Sequence, residues 1–303
     1  MKRFSKITTT QLARICNVSQ GTVDRALHNR PGISDKTRER ILEVAREYDF
    51  LPHIQGKESE NSMLIGVVLF DFYNEFFSKL AMSLVREAKK MGYSLIFQFS
   101  EKDLKRERTA LEYFDYIGVD GIILFSAGSD SPEYKNYLRS LIKPLVLIGN
   151  RLFDLPYVGI DDRKAMEEIT LRLTADSPDE NVAYYAPILR KNLNKDNAQN
   201  LRLQGFLDAM EKQNRKFRII TNLDDLSDCN TIICATDYYA VAVLKHLGFP
   251  TDVKISGFDN ISLLKTFNNS VLTVEYSTDQ IARESLNYLL GRPYHPQIGY
   301  QLV

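Results

Sequence analysis

Three short bursts of helical spacing open the chain. Leu12, Ala13, Ile15 and Cys16 share one side of a first segment, and Val23, Ala26 and Leu27 one side of a second. Ile41, Val44, Ala45 and Tyr48 do the same in a third. The three-to-four residue interval is that of a helix with one apolar face, so residues 8–49 are expected to fold as three helices. Thr8 or Thr9, Ser19 and Ser34 stand where a hydroxyl can accept from the first free amides. Asn29-Arg30-Pro31-Gly32 is a turn signal between the second and third helices. Helices this short do not persist alone, so the third supplies the wall against which the others pack. The second is left free to enter a groove.

From Met63 the texture changes. Leu64–Leu69 is a nearly continuous apolar run, as in a strand covered on both faces. A helix over 75–91 follows, with Phe76, Leu80, Leu84, Val85 and Ala88 along one side. Further strands are expected at 93–98, 121–125, 144–149 and 157–160, with helices at 103–116 and 162–174. Asp176-Ser177-Pro178 then reads as a lobe boundary. The scheme repeats with strands at 181–185, 217–220, 231–235 and 253–258 and helices at 197–213 and 238–246. Alternating strands and helices imply parallel sheets, hence an α/β body of two lobes behind an all-α head. The stretch from His53 to Met63 has low apolar content and mixed charge, which suits a linker.

Charge sharpens this division. The formal net charge is zero over 303 residues, yet residues 1–54 hold ten Lys/Arg against six Asp/Glu, so the body carries the compensating −4. A basic head on a slightly acidic body can meet phosphate without making the whole molecule a polyanion binder. Cys16, Cys229 and Cys234 match neither a disulfide framework nor a zinc site, and each reads as a buried thiol. The four histidines are dispersed, and no metal or cofactor is expected. No segment approaches the about 18 uncharged apolar residues of a membrane span, and the first residues lack a secretory apolar region. A cytoplasmic protein without a membrane partner is the expectation. Glycine-rich phosphate loops and a nucleophile elbow are both missing, so no enzyme is expected.

The head resembles the amino-terminal domain of the LacI/GalR repressor family. Val18-Ser19, Thr22-Val23-Asp24-Arg25, Asn29 and Ser34-Asp35-Lys36-Thr37-Arg38 carry the likeness. The resemblance implies a helix-turn-helix domain that reads double-stranded operator DNA as a homodimer. It implies base-reading positions at Gln20, Gly21 and Arg25, of which Arg25 can form a bidentate pair with guanine and Gln20 can address adenine or a neighbouring phosphate. Thr8, Ser19, Thr22, Asn29, Ser34 and Thr37 are implied phosphate positioners as well as caps. Asp24 replaces a family serine and is an awkward charge beside DNA, which would either tune specificity or pair with a neighbouring basic residue. The linker lacks the family leucine that wedges into the minor groove, and Glu58 and Glu60 would be repelled by phosphate, so weaker bending is expected.

The likeness continues through Ile65-Gly66-Val67, Gly118–Ile123, Val158–Asp161, Arg202–Phe206 and Gly257–Asn260, which implies a periplasmic-binding-protein-like body. Family topology crosses between lobes three times, here near 174–178, 274–277 and 293–298. The domains are then 1–52 for the head, 53–62 for the linker and 63–303 for the body. Its first lobe takes about 63–175 and 277–295, and its second about 176–276 and 296–303. Ligands of such sheets sit beyond the carboxyl ends of the strands, which selects Asp71–Asn74, Phe125–Ala127, Asn150-Arg151, Asp161, Pro187, Thr236-Asp237 and Asp259. By resemblance Arg202 forks onto ligand hydroxyls or a carboxylate, Asp259 and Asp161 accept from hydroxyls, and Thr236 and Tyr276 replace a family Asn and Gln. Phe72 and Tyr73 would wall a sugar face. Asp237 reads first as a helix cap and second as a ligand contact, Arg151 equally as a ligand contact or a tie between lobes, and Arg202 first as a ligand contact and second as a lobe-to-lobe ion pair. A carbohydrate is the first effector class, with a purine as the alternative. A solute-binding protein without a transcriptional role is the rival for the whole chain.

Overall fold

The computed structural model describes residues 9–27, 30–48, 62–128, 131–152, 154–175, 181–187, 198–250, 252–267 and 271–303. Thr8, Asn29 and all of the expected linker but Ser62 lie outside the described residues. The chain divides into two compact units, Met1–Glu60 and Asn61–Val303.

In the first unit α1 (Thr9–Ile15), α2 (Gln20–Leu27) and α3 (Asp35–Glu47) enclose one apolar core. Leu12, Val23, Ile41 and Ala45 are fully buried there, with Ala13, Cys16 and Ala26 beside them. Two identical devices start the second and third helices. Ser19 Oγ accepts from the Thr22 amide at 3.1 Å and Ser34 Oγ from the Thr37 amide at 3.2 Å. Both satisfy an orphan donor of a first turn. Asn17 takes the left-handed conformation (φ 48°) that closes the tight turn between α1 and α2, where asparagine is among the better tolerated residues.

The second unit begins with β1 (Leu64–Leu69), α4 (Glu75–Lys90), β2 (Ser94–Phe99), α5 (Leu104–Ile117) and β3 (Gly121–Leu124). There follow α6 (Pro132–Ser140), β4 (Leu145–Ile148), β5 (Tyr157–Val158) and α7 (Asp162–Thr174). The next elements are β6 (Val182–Tyr185), α8 (Ala198–Lys212), β7 (Phe217–Ile220), β8 (Thr231–Cys234) and α9 (Asp237–His246). The last are β9 (Lys254–Ser256), β10 (Val271–Leu272), β11 (Val274–Tyr276), α10 (Thr278–Leu289) and β12 (Tyr300–Leu302). Two five-stranded parallel sheets result, in the orders β2-β1-β3-β4-β5 and β10-β9-β8-β6-β7. They are the two expected lobes. Strands β1, β3, β4, β6 and β8 are buried almost throughout, as continuous apolar runs require.

Three segments link the lobes, and one lies earlier than expected. Helix α7, assigned from the sequence to the first lobe, packs against α8, β8, β9 and β11 of the second. Its partner helix makes room: a Cβ on Gly205 would sit 2.0 Å from the Arg163 carbonyl oxygen, so only glycine permits this approach. The crossing therefore falls at 159–161, where Gly159 bridges Gln297, and not at the polar stretch around Pro178. The other two lie between β11 and α10 and between α10 and β12. β11 pairs antiparallel with β12, and α10 returns to pack on α4 of the first lobe.

Candidate functional site

The carboxyl ends of both sheets face one cavity of about 500 Å³. Its floor is built on Arg202 of α8, whose guanidinium is buried and engaged on every side. Nε donates to Asp162 Oδ1 at 2.8 Å, Nη1 to the Ala235 carbonyl at 3.0 Å and Nη2 to Asp259 Oδ1 at 3.3 Å. The group also lies 3.6 Å from the centroid of the Phe258 ring, a cation–π contact in a desolvated place. Burial disfavours its charge, but Asp259 and Asp162 outweigh that and hold Arg202 firmly protonated. The same burial pushes Asp162 up to about 6, with Arg202 pulling the other way. Asp259 is raised by burial too, against the hydrogen bonds it receives from Arg202 and Tyr276.

Asp259 stands on a strained backbone. It has φ 102° and Asn260 has φ 47°, two consecutive non-glycine residues in the left-handed half of the map. The surroundings impose this. Asp259 N–H donates to the Val274 carbonyl at 3.0 Å, and Asn260 Nδ2 to Glu275 Oε1 at 2.7 Å. Buried Asp237 pins both flanks, accepting from the Ile261 amide at 2.8 Å and the Thr273 hydroxyl at 2.6 Å. A Cβ at Gly257 would lie 2.0 Å from Asp237 Oδ1, so glycine is what admits that carboxylate. Burial and the nearby Asp259 charge push Asp237 up to about 6.

The first lobe supplies an aromatic wall. Phe70, Phe77 and Phe125 meet edge to face with centroids 4.8–5.6 Å apart, and Phe76 extends the cluster to Tyr276 at 5.8 Å. Behind it, buried Glu107 accepts from Ser126 Oγ at 2.8 Å, from the Ala127 amide and from the Tyr134 hydroxyl, fixing the loop that edges the cavity. Burial pushes Glu107 up to about 7 against those hydrogen bonds.

Two clasps join the lobes beside the cavity. Asn150 donates to the Ser126 carbonyl at 2.7 Å and accepts from the Ala198 amide at 3.2 Å. On α4, Lys79 Nζ donates to the Asn260 carbonyl at 3.0 Å while Glu75 accepts from the Ser262 amide at 2.6 Å. Burial would raise Glu75, but its bonds from Lys79 and Ser262 prevail and hold it at about 2.

Of the residues selected from the sequence, Asp71, Tyr73, Arg202, Thr236, Asp259 and Tyr276 line the cavity, as do Asn74, Phe125, Ala127 and Asn150. Ser126 and Pro187 are not in its lining, and neither are Phe72, Asp161, Arg151 and Asp237. Phe72 points away and packs on Phe99 at 4.5 Å. Exposed Asp161 caps α7 through the Lys164 amide, leaving its neighbour Asp162 to face the cavity. Arg151 is exposed outside the cavity lining, and Asp237 is committed to holding the backbone. The cavity also takes Phe76, Phe77 and Asp162, which the strand-end rule passed over. A helix cap followed by a first-turn carboxylate is the signal that separates Asp162 from Asp161. In the head, Gln20, Gly21 and Arg25 are exposed on α2, and Gln20 donates to Thr10 Oγ1. Among the described residues no cluster of three or more His, Cys, Asp or Glu could hold a metal ion, and no helix is long and apolar enough to cross a membrane.

Residues 9–53 match the family description "Bacterial regulatory proteins, lacI family", and residues 62–281 match "Periplasmic binding proteins and sugar binding domain of LacI family". The chain is 26% identical to the ribose operon repressor of Bacillus subtilis (strain 168), over 94% of this chain and 91% of that one. Its fold is similar to that of the lac repressor dimer bound to operator and the anti-inducer ONPF, with a TM-score of 0.68 at 17% identity, covering 99% and 98% of the two chains. A periplasmic binding protein/LacI transcriptional regulator from Alkaliphilus metalliredigens QYMF, complexed with D-xylulofuranose, aligns with a TM-score of 0.67 at 21% identity, over 80% and 97%.

Proposed function

Because the chain belongs to the LacI family of ligand-responsive bacterial regulators, we propose that it represses transcription from a palindromic operator as a homodimer and senses a sugar or sugar derivative in the cavity. The observation that carries this reading is the buried Asp162–Arg202–Asp259 constellation in a cavity of the same chain as a helix-turn-helix head. Carboxylates and a guanidinium in one place can bridge neighbouring hydroxyls, and aromatic rings such as Phe76 suit the apolar face of a sugar ring. The likeness to a ribose operon repressor and to a D-xylulofuranose complex favours a pentose or a close derivative.

Asp71, Tyr73, Arg202, Thr236, Asp259 and Tyr276 are the ligand contacts in this reading, joined by Asp162 and Phe76. Gln20, Gly21 and Arg25 read bases, while Ser19, Thr22, Ser34 and Thr37 approach phosphates as well as cap helices. Met82 and Val85 on α4 and Phe99, Tyr113 and Tyr116 on β2 and α5 are exposed large side chains, and they suit the dimer face. The chain works in the cytoplasm, where the operator is, and carries out no covalent chemistry. Its charged cavity groups are occupied with one another in a manner that binds without reacting. A flat ring such as a purine is the second reading, favoured by the aromatic side chains Phe76 and Tyr276 in the cavity lining.

Selection of duplexes from a random library by the purified chain, followed by a pentose panel in thermal shift, tests the proposal. A selected palindrome and an upward shift in melting with one sugar are expected. A chain that enriches no duplex, or that responds to no sugar but to purines, refutes the corresponding half.

A further inference from the structure

The recognition helix carries a carboxylate on the side meant for DNA. A helix turns about 100° per residue, so Asp24 lies beside Gln20 and Gly21, opposite buried Val23 and Ala26. A bare carboxylate there would face phosphates. It is covered instead: Arg30 Nη1 donates to Asp24 Oδ2 at 3.0 Å. Arg30 is itself tied down beyond the end of α2. Its amide donates to the Arg25 carbonyl at 2.9 Å, and its own carbonyl accepts from Arg38 Nη2 at 3.0 Å. Arg38 Nη1 reaches the same Arg25 carbonyl at 3.2 Å, so α3 straps both ends of the turn.

An exposed ion pair of this kind contributes only about 0–1 kcal/mol to stability, so folding alone gives little reason to fix it. What the pair does is aim a guanidinium. Asp24 is the side-chain partner of Arg30 among the described residues, and the arginine side chain is 62% exposed. A guanidinium has five N–H donors in a rigid fork, so one bond to Asp24 leaves an edge for a second oxyanion. Base edges are reached by the amino-terminal part of a recognition helix, whereas Arg30 follows its carboxyl end, where the duplex backbone flanks the groove.

Resting on the reading of this head as a DNA-binding domain, we infer that Arg30 is a binding residue for a backbone phosphate of the operator and that Asp24 positions it. Asp24 thereby turns a position of like-charge repulsion into the support of a phosphate contact.

The test uses the full chain and the duplex that the unmodified chain selects from a random library, with affinity followed by fluorescence anisotropy against KCl concentration. Arg30→Ala is expected to lower the slope of log K on log salt by about one, with equal losses on every single-base variant of the duplex, while Arg30→Lys keeps the slope. Asp24→Asn is expected to shrink the cost of Arg30→Ala severalfold in a double-mutant cycle. An unchanged slope in Arg30→Ala, or a loss confined to one base pair, overturns the phosphate assignment. An undiminished Arg30→Ala cost in the Asp24→Asn background overturns the positioning role. If the unmodified chain selects no duplex, the DNA-binding reading itself fails, which is a separate result.

Discussion

The Tyr276 hydroxyl donates to Asp259 Oδ1 at 2.8 Å, the same oxygen that accepts from Arg202 at 3.3 Å. A tyrosine thus holds part of the acceptor capacity that a hydroxylated ligand would use. Tyr276→Phe keeps the ring contact with Phe76 and frees that oxygen. Pentose affinity is expected to rise severalfold in calorimetry, and stability to fall by about 1–2 kcal/mol for the lost charged hydrogen bond. A fall in affinity would place Tyr276 among the direct ligand donors.

Arg202→Ala leaves Asp162 and Asp259 buried without their cation. Breaking such a pair from one side costs about 3–5 kcal/mol, so the variant is expected to lose both effector binding and a large part of its stability. Arg202→Ala combined with Asp162→Ala and Asp259→Ala should recover much of the stability in urea denaturation without recovering the ligand. That contrast separates the charge imbalance from the contacts.

The order of strands along the chain, the paired lobes and most of the polar cavity were legible in the sequence, because parallel strands read as apolar runs and strand ends define the cleft. The misses have local causes. Helix α10 carries no expectation in the sequence analysis, although Ile281, Ala282, Ser285, Leu286 and Leu289 are buried at helical spacing; the segment lies between two crossings. Helix α6 buries only Tyr134 and Leu138, too little to make a pattern. Phe72 and Phe76 are alike in composition. Which one faces the cavity depends on the Asp71 turn, where the Tyr73 and Asn74 amides converge on Asp71 Oδ1, and on the Asn74 cap that starts α4. Adjacent Asp161 and Asp162 are separated in the same way, by which of them caps a helix.

Three buried carboxylates give the body a pH dependence of definite sign. Glu107 is pushed up to about 7, and Asp162 and Asp237 to about 6. A raised acid binds its proton more tightly in the folded state, so stability is highest below its ordinary value near 4.5 and falls as pH rises through the folded one. Glu75, held at about 2, has finished titrating below this window. Stability is therefore expected to decline from pH 5 to 7.5, with about 3 kcal/mol attached to Glu107. Glu107→Gln should flatten that part of the decline in urea titrations, and an unaltered slope would remove Glu107 from the account.

The clasp on α4 predicts a change in lobe closure. Lys79 Nζ reaches the Asn260 carbonyl, one residue beyond Asp259, so the ligand-facing carboxylate and the inter-lobe bond share one strained segment. Lys79→Met keeps much of the apolar stem and removes the donor. A larger radius of gyration in solution scattering and a severalfold weaker effector affinity are expected, with helical content unchanged. An identical scattering profile with and without effector would show that this clasp does not govern closure.

Gly205 connects helix packing to the cavity floor. It lies three residues after Arg202 on α8, nearly one turn along, and its missing side chain is what lets α8 rest against α7 beside the Arg163 carbonyl. The obstacle to a methyl group there is backbone on a packed helix, which cannot swing aside as a side-chain end can. Overpacking of this kind costs about 1–3 kcal/mol. Relief by separating α7 from α8 would pull apart Arg202 and Asp162, which are carried by these two helices and bonded at 2.8 Å. Gly205→Ala is therefore expected to weaken effector binding by more than its stability loss alone would predict at saturating folded protein, while leaving operator affinity without effector close to normal. Calorimetry on the folded variant, paired with anisotropy on the selected duplex, checks both halves, and an effector affinity equal to that of the parent chain would show that the two helices can part without disturbing Arg202.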